Sequence, residues 1–303
     1  MNTNHEKSTP VETRAKFGDG AVGGEQRRRP LSRRWVQVTV MVVGFAIMMI
    51  VSNSIAAALE NPVAALVIGP LLAVLMLWLY RFAVHRVERR GATELAPRRA
   101  ARLVLIGLAG GLLLSAATIA VLAVFGGYRI TGWGSIGGAL SVIGIMCAIA
   151  VAEEVLFRGV IFGLVQRRWG TWLALAVSAV LFGLVHLVNP GATLWGAIAI
   201  TVEAGLMLGA AYAATGSLWL PIGLHLGWNV ATVAIFGTVT SGSEARDALV
   251  TAHTSGPAWL TGGDFGPEAS IVAVIVCSIA TVVLLRIAQR RGRIFVGRDA
   301  RLS

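Results

Sequence analysis

Charge is what this sequence has least of. Only 14% of its 303 residues are Asp, Glu, Lys or Arg, against about a quarter in soluble globular domains, while 56% are hydrophobic. With a mean hydropathy of +0.74, that deficit excludes an ordinary soluble domain and leaves an integral membrane protein. Acidic residues are scarcer than basic ones, 15 against 26. The resulting charge of +11 does not indicate a nucleic-acid partner, because the basic residues fall in the connections between apolar runs instead of gathering on one face. Cysteine is limited to Cys147 and Cys277, both inside apolar runs, so a disulfide framework is excluded and the two read as packing residues. Also missing are a strand pattern, an internal repeat, a glycine-rich phosphate loop and the hydrolase motifs HExxH, GxSxG and GxGD. The TGGD at Thr261 to Asp264 falls one residue short of the last of these and lies in a polar loop.

What is present is a series of eight apolar runs, at about 35–58, 62–82, 103–125, 136–165, 172–188, 193–214, 218–237 and 270–285. Each can cross a hydrocarbon core about 30 Å thick, which predicts an all-α, polytopic membrane protein of about eight transmembrane helices. The first run is too long, and its leader too extended, for a cleaved signal peptide. Lys and Arg divide sharply between the two sides. Eight precede the first run, seven lie over 81–102, two are Arg167 and Arg168, and six follow residue 285. The other side receives only Arg129 and Arg246, and Arg158 falls within a span. By the positive-inside rule both termini are cytoplasmic, in a multi-pass protein of the cell membrane.

The organisation expected is a disordered cytoplasmic tail over 1–34, N-terminal transmembrane helices over 35–132 and a helical core over 133–237. A polar outer loop follows over 238–269, as a mobile connection or partial lid, and then a last transmembrane helix with a basic cytoplasmic tail over 270–303. The spacings Gly107 to Gly111 and Gly205 to Gly209 permit close helix contact, more plausibly between spans of this chain than in a dimer.

The fourth run contains VAEEVLFRGV, two carboxylates and a guanidinium where charge is costly. A central charged residue costs about 2.5 to 3.5 kcal/mol to insert, so the default reading is functional, with a structural polar knot as the alternative. On an α-helix Glu154 and Arg158 share a face, whereas Glu153 points about 100° away and has no partner within its own helix. Two histidines belong at comparable depth. Glu153 and His186 are equidistant from a turn near Trp169 and Gly170, and Glu203 and His225 from one near Ala214 to Gly216. The two levels coincide if the first hairpin overhangs by about 5 Å, one helical turn. Asn229, one turn beyond His225, can donate a hydrogen bond to an oxygen that becomes negative. Phe182, one turn before His186, reads as packing, and Trp219 and Trp228 as packing or interfacial anchors.

A carboxylate with a histidine can deprotonate a water; alternatively Glu153, His186 and His225, with Glu203 as a weaker addition, can ligate Zn²⁺ and leave it a position for that water. Either arrangement makes a hydrolase. Buried Glu, Arg and His also mark ion pathways, so a transporter or proton relay is the rival class, though mirrored repeats are missing. A catalytically silent binding or immunity protein on the same scaffold is a further rival.

EEVLFR at Glu153 to Arg158 resembles EExxxR, FGLVH at Phe182 to His186 resembles FxxxH, and HLGWN at His225 to Asn229 resembles HxxxN. These are signatures of the CPBP family, the CAAX prenyl protease-like and bacteriocin-processing intramembrane proteases also called the Abi family. TGSLWLPIGLH before the last motif is similar to it as well, and the resemblance covers 136–235. It implies an all-helical membrane endopeptidase cleaving a membrane-anchored peptide or protein near the cytoplasmic surface. In that reading Glu153 and His186 activate the water, His225 and Asn229 stabilise the oxyanion, and Glu154 and Arg158 support the site. Metal-dependent and glutamate-activated mechanisms both stay open within the family, and Glu203 lies outside its motifs.

Overall fold

The computed structural model describes residues 1–2 and 31–296. The tail expected over 1–34 lies outside these residues except at its two ends, and so does the end of the basic tail, 297–303. Among the described residues the chain forms α1 (Leu31–Ala57), α2 (Pro62–Glu88), α3 (Ala100–Val124), α4 (Ile136–Trp169), α5 (Thr171–Val188), α6 (Leu194–Thr215), α7 (Trp219–Ile235) and α8 (Ile271–Arg290). Seven of these are long and apolar enough to cross a membrane, and α7 is a shorter apolar helix. The protein is an all-α, multi-pass membrane protein.

Local chemistry sets several helix starts. Asn61 caps α2, its side chain accepting from the Val63 and Ala64 amides at 2.9 and 3.1 Å, with Pro62 at the first helical position. Ser135, Thr193 and Ser270 cap α4, α6 and α8 in the same way. Gly170, at φ 91°, turns the chain between α4 and α5, and Gly216, at φ 63°, turns it between α6 and α7. Both hairpins therefore reverse where the sequence placed their turns.

Helix α4 is the centre of the bundle: 78% of its apolar window is buried, against 28% for α1, α2 and α3 and 22% for α8. Close approach depends on glycine. A Cβ at Gly107 or Gly111 of α3 would strike the α7 backbone near Leu220 and Leu224, and one at Gly223 or Gly227 of α7 would strike the α3 backbone at Val104 and Leu108. The pair Gly205 and Gly209 meets Ala179 and Leu175 of α5. Both glycine spacings singled out in the sequence thus pack spans of one chain together.

Four helices contain a π-helical stretch: Val84–Glu88 in α2, Val155–Phe162 in α4, Thr201–Leu206 in α6 and Val230–Ile235 in α7. The wider turn disturbs the regular ladder, and freed carbonyls inside a bilayer need other donors. Each stretch has them. Val87 O accepts from Gln37, Phe157 O from Ser178, Gly159 O from Tyr80, Ala204 O and Gly205 O from Arg158, and Thr232 O from Thr238. The π turns are thus where neighbouring elements fasten to the core.

The ends of the bundle differ. One, here the basic end, gathers the α2–α3 connection, the α4–α5 turn and the segment after α8, where the Thr171 amide donates to Phe295 O at 2.9 Å. The far end carries a sheet that the sequence did not announce. Strand β1 (Tyr128–Trp133) pairs antiparallel with β2 (Val250–Thr254). The expectation of no strands fails here because β1 exposes both faces and its register shifts between Ile130 and Gly132, so no two-residue period is written into it. The 238–269 segment is built around β2 and short helical turns, and it is tied to α6 by Trp195 Nε1 donating to Ala269 O at 2.8 Å.

Candidate active site

The site is assembled from α4, α5 and α7. On α4, Glu154 and Arg158 pair at 2.8 Å with both side chains fully buried, as their spacing predicted, even though the helix widens to a π turn directly after Glu154. Arg158 also donates from Nη2 to Ala204 O and Gly205 O at 3.2 Å each, and its guanidinium lies 4.6 Å over the Phe182 ring. The π turn of α6 thereby supplies acceptors that a regular helix would keep in its own ladder.

Glu154 has a second partner. Its Oε1 is 3.0 Å from His225 Nδ1, which fixes the ring and leaves Nε2 without a hydrogen-bond partner. Nε2 faces Glu153, whose Oε2 is 3.8 Å away. Among the described residues Glu153 makes no hydrogen bond, and no ion pair joins it to His186. The acid expected to lack a partner within its helix is thus brought to His225 of α7. His186 instead donates from Nδ1 to Phe182 O at 2.6 Å, so its Nε2 too is left as an acceptor.

Phe182, read from the sequence as packing, joins these groups. Its ring centroid is 4.8 Å from that of His186 and 6.0 Å from that of His225, and Phe157 meets it edge-on at 5.1 Å. Asn229, one turn beyond His225, is buried with Nδ2 3.5 Å from Met146 Sδ. A cavity of about 10 Å³ has His225, Asn229, Glu203 and Glu268 in its wall. That volume suits about one water. Glu203 shares this cavity with His225, but its Oε1 is met by Cys277 Sγ at 3.5 Å and its Oε2 has no partner.

The histidine tautomers would serve a metal as well as a base, since each has Nδ1 held and Nε2 free. The arrangement nonetheless does not gather the set named from the sequence. Among the described residues no three His, Cys, Asp or Glu side chains are grouped to hold a metal. Glu153, His186, His225 and Glu203 thus do not stand together as a ready ligand set among the described residues, while Glu153 and the free Nε2 atoms keep capacity for a water or a metal.

One residue of this environment went unnoticed in the sequence. Glu268, in the far-end segment, is buried and shares the cavity with His225 and Asn229. Its only signal was an acid beside a run of apolar residues, in a stretch that read as a loop.

Residues 133–231 match the family model described as type II CAAX prenyl endopeptidase Rce1-like. A stretch of 83 residues is 32% identical to YdiL of Bacillus subtilis (strain 168), whose name marks it as a candidate membrane peptidase. The match takes in 27% of this chain and 32% of that protein, so the chain spans about a third of the length of the curated relative. No solved structure matches. The segment that resembles the Rce1-like model contains all three motifs and both hairpins that carry them, so the similarity falls on the part of the chain that builds the site.

Proposed function

We propose that this protein is an intramembrane endopeptidase that hydrolyses a peptide bond in a membrane-associated, CAAX-like substrate, with Glu153 as the general base. The observation that carries this reading is the 3.8 Å gap between Glu153 Oε2 and His225 Nε2, in a ring whose other nitrogen is held by Glu154. A water at ordinary hydrogen-bond distance, about 2.8 Å, from both atoms fits across such a gap. Arg158 neutralises Glu154, Glu154 orients His225, and Glu153, with no hydrogen bond on either oxygen among the described residues, keeps its lone pairs for the solvent.

Glu153 takes a proton from the water as its oxygen attacks the carbonyl carbon. The tetrahedral oxyanion is stabilised by the Asn229 amide, whose N–H groups are genuine donors. Glu153 then returns the proton to the departing amine as the C–N bond breaks, and a new carboxylic acid and a free amine result. His186, held by Phe182 O, offers Nε2 as a further acceptor for the water, in the role that the motif resemblance gives it. No step passes through a metal. Zn²⁺, if bound, would acidify the water, and Glu153 with the Nε2 atoms of His186 and His225 would have to move together to hold it.

The basic end faces the cytoplasm of the cell in this reading, with both termini on that side, because Lys and Arg accumulate there. The test uses the full chain in proteoliposomes with a prenylated peptide and the same peptide unprenylated. Glu153→Gln should lower turnover by about 10²- to 10⁴-fold, the usual contribution of a general base. Turnover by this variant at the wild-type rate would overturn the assignment.

A further inference from the structure

Glu268 lies beyond the matched segment 133–231, yet it is one of the most completely bonded side chains near the site. Its Oε1 accepts from Trp228 Nε1 at 2.9 Å and from Thr240 Oγ1 at 2.6 Å. Its Oε2 accepts from the Ser241 amide at 2.6 Å and from Ser241 Oγ at 2.7 Å. Four donors converge on one carboxyl group that is only 3% exposed, two on each oxygen, an acceptor capacity that glutamine, with a single oxygen, lacks.

The donors come from where the catalytic groups are held. Trp228 lies between His225 and Asn229 on α7, and its indole packs with Met207, Ala273 and Cys277. Ser241 in turn offers its carbonyl to Asn189 Nδ2 at 2.6 Å, three residues past His186, and Gly242 O accepts from the Gly191 amide at 2.8 Å. A continuous chain of bonds therefore runs from the helix bearing His225 and Asn229, through Glu268 and Ser241, to the turn that ends the helix bearing His186.

We propose that Glu268 is a positioning residue for the hydrolysis, fixing the far-end portions of α5 and α7 against each other so that both histidines and Asn229 hold one geometry. The inference rests on the endopeptidase reading for its effect on rate, but the tie itself can be tested without activity. Its consequence is that residues 133–231 do not complete the site by themselves. The far-end segment supplies the clamp.

The test compares full-length wild type with Glu268→Gln, Trp228→Phe and the double variant in lipid nanodiscs, below the melting temperature of every variant. Glutamine is nearly isosteric but turns an N–H₂ toward donors, so it should break the tie without emptying the space. Glu268→Gln should lower kcat by at least about tenfold with KM unchanged, since small displacements of catalytic groups cost that much or more. Trp228→Phe should cost less, and the double variant no more than Glu268→Gln, because both remove the same bond. Amide exchange should quicken over both 186–192 and 225–231, and should do so equally in a Glu153→Gln background. Wild-type kcat in Glu268→Gln, or exchange that is unchanged in those two stretches, would overturn the proposal. If the wild type cleaves nothing, the endopeptidase reading fails separately, and the exchange result alone decides whether the tie exists.

Discussion

The charged cluster among α4, α5 and α7 and the partly buried one at the basic end are finished to different degrees. At the basic end Glu94 takes Arg90 on both oxygens at 2.8 and 2.9 Å and receives the Tyr80 hydroxyl as well. Glu88 takes Arg90 on one oxygen and Arg167 on the other, the latter at 3.0 Å. In the site, Glu154 Oε2 and Arg158 Nε have no partner, and Glu153 meets only an imidazole at 3.8 Å. A structural knot satisfies its members, whereas a reactive site keeps acceptor capacity in reserve for a substrate or water. A satisfied polar cluster of that kind lies at 80–94, whereas at 153–158 the Glu154–Arg158 pair stands beside a Glu153 that makes no hydrogen bond among the described residues.

That contrast can be broken experimentally. Glu153→Gln should remove activity by the 10²- to 10⁴-fold range of a lost general base, yet leave stability unchanged or raised, because the carboxylate it removes has no hydrogen bond to lose. Denaturant titration in mixed micelles beside the turnover assay would show it, and a large loss of stability would place Glu153 with the structural group. Arg158→Met should cost about 3–5 kcal/mol, since it leaves Glu154 buried without its cation, and a second change, Glu154→Gln, should restore much of that loss. Glu94→Gln should destabilise by about 1–3 kcal/mol by weakening a charge-assisted pair, with kcat of the folded enzyme unaltered. Tyr80→Phe is the smallest, about 1 kcal/mol, again with unaltered kcat. A fall in kcat for either of the last two would show that the basic end takes part in the reaction.

Much of the site was legible because it rests on short-range geometry. The i, i+4 relation of Glu154 to Arg158 survives even where α4 widens. The hairpin turns at Gly170 and Gly216 fall where the reversal of apolar runs put them. What escaped was choice among partners at long range. The equal spacing of Glu153 and His186 about their turn gives a common level but not an azimuth, and the structure turns Glu153 to His225 of α7. Phe182 and Glu268 escaped for a related reason: their importance lies in which surfaces converge on them, and a phenylalanine in an apolar run or an acid in a polar loop carries no mark of that.

Composition and order along the chain determined the membrane class, the succession of helices, the separation of basic from non-basic ends and which ionisable residues fall within the spans. Apolar length and helical period are local properties, so a linear reading recovers them. Only the tertiary structure decided which carboxylate is spent and which is spare. That depends on glycine-lined approach of α3 to α7 and on π turns that present carbonyls to Arg158, which set side-chain distances across helices far apart in sequence.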